Sequence, residues 1–361
     1  MLDCVVGGVS VLDTERLNIH SLDEAREFVR AYGYDVENPE DREQLWATHR
    51  RAVDLIREHL LDEGETIPEE LAEPSQLKDL CNLLLIASSF EPSNCHLQRW
   101  ACAILRVMHV YVHLRNDLFS AFRDEIQAQI FKPIEDAIVH DSESGMAILG
   151  ASKADGGILL EKFEVKPFKT TASAVIKLLA RPEKVALTLL DKLGVRFVTQ
   201  NIFDSFRVIR FLVDNHIMSY PHIIPDQSNN TLYPVNLFME VMEEVKTRET
   251  QGEKITGEKI QELLKERLEK EGDRAQFLEK ANEFSDPNYR FIKFINRKLI
   301  TVSVGSEGAQ RPFRFFYPFE IQIMDHETYV RNTSGPLAHD EYKNRQRKRA
   351  RERVFLRNSQ N

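Results

Sequence analysis

Two groups of residues in this sequence have the types and spacing that act on phosphate. The first is Lys169-Thr170-Thr171-Ala172-Ser173, then Lys177, then Asp191-Lys192-Leu193-Gly194-Val195-Arg196; the second is Glu320-Ile321-Gln322-Ile323, followed by Ala338-His339 and Tyr342-Lys343. Together they set one carboxylate at the mouth of an expected strand, a second inside another strand, and basic residues between. Magnesium-dependent phosphoryl or pyrophosphoryl transfer needs that combination, because carboxylates and phosphate oxygens share the ion while cations hold the transferred group. Asp191 precedes an apolar stretch at 194–198, and Glu320 alternates with Phe319, Ile321 and Ile323, so it shares a strand face with Gln322. A carboxylate in an apolar strand is costly unless it is paired or binds a cation. Two readings stand: Asp191 and Glu320 hold one Mg²⁺ that bridges nucleotide phosphates, or they are an ordinary strand-end Asp and a Glu paired with Arg or Lys. Lys169, Ser173 and Lys177 are four apart and share a face in a helix. A helix beginning near Thr170 or Thr171 points backbone N–H groups at an anion; a solvated basic face is the alternative. Lys166, Arg181 and Arg196 complete the cationic set.

The elements that must position these residues change character along the chain. Val5 to Val11 alternate as in an edge strand. From 21 to about 138 the pattern is helical, opening on a capping serine, Ser21, with Glu24 three residues on. Further on, 158–165, 193–199, 216–224, 291–304 and 313–323 read as strands, with helices at 173–179 and 204–214. The expectation is an α+β protein: a helical N-terminal domain over 1–140, then a mixed-sheet domain flanked by helices over 141–361. A charged stretch at about 237–285 carries Ile260, Leu263, Leu264 and Leu268 on one face and reads as a two-helix insertion. The segment at about 340–357 reads as a basic C-terminal helix, from Arg345 to Arg357 with Glu352 its only acid past 343. It faces either RNA or solvent.

Composition narrows the class. The chain has 361 residues, 42% hydrophobic and 29% charged, with a net charge of −9, so the whole molecule is not a general polyanion binder. Four cysteines lack paired metal spacing, and no signal-peptide pattern is present, which gives reduced thiols in a cytoplasm as the expectation. No apolar run reaches the ~20 residues that span a bilayer. His109, His113 and Asp117 at helical spacing, with His140-Asp141 downstream, match the ligand types of a metal-dependent phosphohydrolase only if His140-Asp141 is helical, and the Ser-Glu-Ser-Gly that follows points to a loop.

The paired segments resemble the RelA/SpoT-type alarmone synthetases. Lys169-Thr170 through Ser173 to Lys177 is similar to their R-x-K-S-x-x-S-x-x-x-K, Asp191 to Arg196 to D-x-x-(G/A)-x-R, Glu320 to Ile323 to E-(V/I)-Q-I-R-T, and Ala338 to Lys343 to A-A-H-x-x-Y-K. The order matches over about 155–345, less the insertion. The resemblance implies a nucleotidyltransferase-like fold and transfer of pyrophosphate from ATP to a guanine nucleotide 3′-hydroxyl, the guanosine tetraphosphate chemistry of the stringent response. It implies Mg²⁺ on Asp191 and Glu320, with Glu320 alternatively the base, ATP phosphates on Lys169, Lys177 and Arg196, and Ser173 beside them. Gln322 and His339 would support the acceptor, and Tyr289 would stack on its base. The chain departs from the family at Pro167, Met324 and Asp325, which replace Arg, Arg and Thr, and in the acceptor loop, where Phe291 and Lys293 replace Ser and His. Those departures imply a different acceptor, such as an RNA 3′ end, or a nucleotide sensor without turnover.

Overall fold

Aromatic and β-branched stretches build a mixed sheet and amphipathic stretches build helices around it, so the chain is an α+β protein. The structure, a computed structural model, describes residues 2–115, 119–141, 145–151, 156–182, 189–278, 289–305, 310–333 and 339–356. Its helices are α1 (Leu2–Val5), α2 (Leu22–Tyr32), α3 (Pro39–His59), α4 (Glu69–Ala72), α5 (Pro74–Leu77), α6 (Leu80–Ala87), α7 (Cys95–Arg115), α8 (Arg123–Glu135), α9 (Thr171–Ala180), α10 (Ile202–Asp214), α11 (Val235–Thr250), α12 (Gly257–Glu271), α13 (His326–Thr333) and α14 (His339–Val354). Its strands are β1 (Ile138–His140), β2 (Ala147–Leu149), β3 (Ile158–Lys166), β4 (Gly194–Thr199), β5 (Asn229–Asn230), β6 (Ile292–Val304) and β7 (Arg311–Asp325). Among the described residues no helix is long and apolar enough to cross a membrane.

Contacts divide the chain into two compact units. The first combines Met1–Ser120, Thr170–Leu189 and Lys343–Asn361; the second combines Ala121–Lys169 and Leu190–Tyr342. In the first unit, α3, α6 and α9 pack on α7. Ser21 caps α2 by accepting from Glu24 N–H while Glu24 accepts from His20 N–H, and Gly33 ends it at φ 108°. Two arginines of the basic C-terminal helix face neither RNA nor solvent. Arg351 is buried against the Leu60 carbonyl, Asp62 and Glu65, and Arg353 against Asp13 and the carbonyls of Leu178 and Leu179. Lys343, Lys348 and Arg349 stay exposed.

The sheet fills the second unit in the order β1-β2-β3-β4-β7-β6-β5, with β4 and β7 parallel and the other neighbours antiparallel. α10 packs on β3, β4 and β7, and the insertion helices α11 and α12 close around Tyr233, Leu237, Val241 and Leu264. Part of the insertion's expected range, 279–285, lies outside the described residues.

Three short readings differ. At 5–11 there is no strand but the end of α1, Gly8 at φ +67° and a 3-10 turn at Val11–Asp13. At 216–224 His216 has φ 57° and Tyr220–His222 is a 3-10 turn, which Pro221 favours by fixing its φ and lacking an N–H; the segment meets the sheet through an isolated bridge of Ile223 with Asn296, where Ile224 N–H donates to Ile295 C=O. Within the stretch expected to be helical to about 138, a 3-10 turn at Ser120–Phe122 lies between α7 and α8. His140 ends β1, and His109 bonds the Tyr32 hydroxyl at 2.6 Å, so the helical His-Asp arrangement a phosphohydrolase needs is not formed; Asp117 lies outside the described residues.

Candidate active site

Register places the charged side chains. Across β3, β4, β7 and β6, one row runs Lys166, Gly194, Glu320, Ile295 and the next runs Glu164, Arg196, Gln322, Lys293. Residues two apart on a strand share a face, so both rows and the following Val198 and Met324 lie on the same side of the sheet. Gly194 permits the close approach of β4 and β7. A Cβ there would sit 2.4 Å from the Glu320 carbonyl oxygen and 2.8 Å from its Cβ. The loop before β4 is tied on both sides: Lys169 N–H donates to Lys192 C=O at 2.9 Å, and Glu320 N–H donates to Leu193 C=O at 2.9 Å. Those two bonds hold Asp191 between the end of β3 and the middle of β7.

The side chains form one connected charge network. Lys169 Nζ meets Asp191 Oδ2 at 2.6 Å, and Lys166 Nζ lies 3.3 Å from Glu320 Oε1 and 2.7 Å from Gln322 Oε1. Arg196 Nε donates to Gln322 Oε1 at 3.0 Å and its Nη1 to Glu164 Oε2 at 2.9 Å; Lys162 reaches Glu164 at 2.6 Å, and Lys293 lies 3.8 Å from Glu320. Glu320 is only 9% exposed. Burial alone would raise its carboxyl, but Lys166, Lys293 and Lys169 outweigh that and hold it at about 2, against the opposing charge of Asp191. Burial works against the Lys169 ammonium too, yet Asp191 and Glu320 raise its pKa. Lys166 is lowered by burial and by its cationic neighbours Arg196 and Lys169, with Glu320 opposing. At neutral pH the Glu320 carboxylate is therefore ionised.

Beyond Gln322 the same face turns apolar. Met324, 1% exposed, packs with Val198 and Phe291, flanked by Tyr289 and Tyr329. Tyr289 stands at the junction: it hydrogen-bonds Gln322, packs 5.3 Å from the Phe291 ring, and burial raises its hydroxyl pKa. Asp325 is buried, and its Oδ1 has no partner among the described residues.

The residues singled out from sequence separate into two sets. Lys169, Asp191, Arg196, Glu320, Gln322 and Tyr289 converge in the second unit. Ser173 and Lys177 share the less buried face of α9, in the first unit; there Ser173 N–H and hydroxyl both meet Thr170 Oγ1, the N-cap. His339 is the first residue of α14, with its side chain outside the described set, as is Ala338. Tyr342 is close enough to act electrostatically on Lys169 and Tyr289. Glu164 was not legible as a site residue; the one signal for it is its alternation with Lys162 and Lys166.

The donor set fits magnesium of a particular kind. Among the described residues no three His, Cys, Asp or Glu side chains gather as a metal cage. Mg²⁺ needs no such cage, because one or two carboxylates suffice when substrate phosphates and water supply the other ligands. Asp191 and Glu320, electrostatic neighbours surrounded by lysines, match an ion that arrives with a polyphosphate.

The sequence matches no protein-family model and no curated protein. Among solved structures, the small alarmone synthetase 1 from Bacillus subtilis is similar at 12% identity and a TM-score of 0.25, covering 64% of this chain and 91% of that one. A GTP pyrophosphokinase family protein from Streptococcus pneumoniae is similar at 13% identity and a TM-score of 0.25, covering 69% and 86%.

Proposed function

We propose that the second unit carries out Mg²⁺-dependent transfer of a pyrophosphoryl group from ATP to the 3′-hydroxyl of a nucleotide or an RNA. The observation that carries this is the ion pair Asp191–Lys169 standing within electrostatic reach of the Glu320–Lys166–Gln322–Arg196 cluster. Each carboxylate is screened by lysines, and a nucleotide polyphosphate offers those lysines better partners while bringing the ion the carboxylates then hold. Lys166, Lys169 and Arg196 would bind the triphosphate and stabilise charge developing on it. A carboxyl held at about 2 is always ionised and a weak base, which favours Glu320 as an ion ligand over proton acceptor. The ordered motifs support the same assignment, and the proposed setting is the cytoplasm, where ATP is the abundant donor.

Pyrophosphoryl transfer releases AMP, whereas phosphoryl transfer releases ADP. Purified protein given ATP, Mg²⁺ and GTP, GDP, ATP or an oligoribonucleotide should release AMP in step with a 3′-pyrophosphorylated product, and Asp191→Asn should abolish both. Absence of AMP and product with every acceptor overturns the catalytic reading. A second reading, a nucleotide sensor without turnover, is favoured by Met324, whose apolar packing stands where the family motif has an arginine. Calorimetry separates the two, since a sensor binds ATP with Mg²⁺ and releases no AMP.

A further inference from the structure

The first unit holds a half-enclosed cavity of about 390 Å³, within the range of small-molecule sites. Its walls are largely apolar side chains of α2, α3, α6 and α7, among them Val29, Leu45, Leu84, Leu105 and Val112. Of the polar groups that reach it, Tyr32 and His109 satisfy each other through a 2.6 Å hydrogen bond. Arg106 is different. It is 6% exposed, and its Nη1 and Nη2 donate at 2.6 Å to the carbonyls of Val354 and Thr14, which are neutral acceptors. A guanidinium carries five N–H donors and a full charge. The carboxylate that acts on it is Asp13, but Asp13 accepts at 2.6 and 2.9 Å from Nε and Nη2 of Arg353, itself 8% exposed. The Cys102 thiol, which also lines the cavity, is raised by burial and stays neutral. Two buried cations thus share one carboxylate beside an apolar chamber, and an uncompensated buried charge is costly.

We propose that this cavity binds an amphiphilic monocarboxylate, its apolar body among Leu84, Leu105 and Val112 and its carboxylate paired with Arg106. A single negative charge completes the balance of Arg106, Arg353 and Asp13. An apolar body fits walls that offer few hydrogen bonds.

The test is calorimetry of the full chain with decanoate below its micelle concentration and with 1-decanol as the uncharged counterpart. Decanoate should bind one-to-one and raise Tm, with 1-decanol at least tenfold weaker. Arg106→Met should weaken decanoate at least tenfold and leave 1-decanol unchanged. Leu105→Trp, which fills the chamber, should abolish both. Equal affinity for acid and alcohol overturns the pairing with Arg106, and no decanoate binding, or undiminished binding in Leu105→Trp, overturns the site. Should Arg106→Met not fold, the acid–alcohol comparison and Leu105→Trp still decide.

Discussion

The two ends of one sheet face in the second unit follow opposite rules. Around Gly194–Arg196 and Glu320–Gln322 the face carries Lys166, Glu164, Arg196, Glu320, Gln322 and Lys293, and its charges pair with one another, Arg196 with Glu164 on the adjacent strand and Lys166 with Glu320 across β4. Two residues further along the same strands, Val198 and Met324 are buried in an apolar cluster with Phe291. Parallel pairing of β4 and β7 builds both halves in the same way, so the difference lies entirely in side chains. The polar half is poised for exchange, because its ion pairs can trade carboxylate for phosphate. The apolar half is held by packing, which a polar partner cannot share without leaving buried groups unpaired. In the proposed function the polar half holds the polyphosphate and the apolar half sets what can lie next to it.

Substitutions at the boundary break that contrast. Glu320→Gln should have the largest effect, lowering any Mg²⁺-dependent transfer by about 10²- to 10³-fold or more in an AMP-release assay. Next is Met324→Arg, which places there the arginine of the motif that Glu320–Ile323 resembles. Inside this cluster it should destabilise the protein by about 3 kcal/mol or more without improving acceptor use, while Met324→Leu should cost less than about 1.5 kcal/mol in denaturant melts. If Met324→Arg is tolerated and gains activity, the apolar half is adaptable rather than fixed.

The acid limb of stability comes third. Glu320 titrates at about 2 in the folded chain against an ordinary 4.5, so its contribution is complete above about pH 4.5 and is lost as pH falls toward 2. That contribution is at most about 3 kcal/mol. The stability difference between the native chain and Glu320→Gln should therefore shrink across pH 4.5 to 2; a constant difference would mean that lysine pairing does not hold the carboxyl down. The smallest effect belongs to Gly194→Ala. Its Cβ meets Glu320 main chain and Cβ, and about 1–3 kcal/mol of destabilisation is expected, with weakened ATP binding by calorimetry.

How much of this the sequence carried depended on range. β6 and β7 were legible because aromatic and β-branched residues recur densely through 292–304 and 313–323, and α12 because Ile260 and Leu264 keep helical spacing. The stretches 5–11 and 216–224 misled, since a few alternating apolar residues mimic a strand where Gly8 and Pro221 dictate turns. In the site, Asp191 and Glu320 stood out as carboxylates beside apolar strands. Glu164 did not, and the place of Lys293 beside Glu320 could not be read, because their partners follow from the register pairs Glu164–Arg196 and Lys293–Gln322, which only the assembled sheet defines. The excess charge at Arg106 was equally hidden, since Asp13 and Arg353 are 340 residues apart.

That last separation sets an order of events during synthesis. The helices α1 to α7 of the first unit precede the sheet in the chain, yet α9 and the end of α14 belong to that unit too, and Arg351 and Arg353 supply the hydrogen bonds that its carbonyls at Leu60, Leu178 and Leu179 accept. Chains emerge N-terminus first, and contacts distant in sequence close late. On the ribosome, α2 to α7 must therefore wait, incomplete, until the whole sheet and α14 have been translated, and helices made before the sheet reach their native state after it.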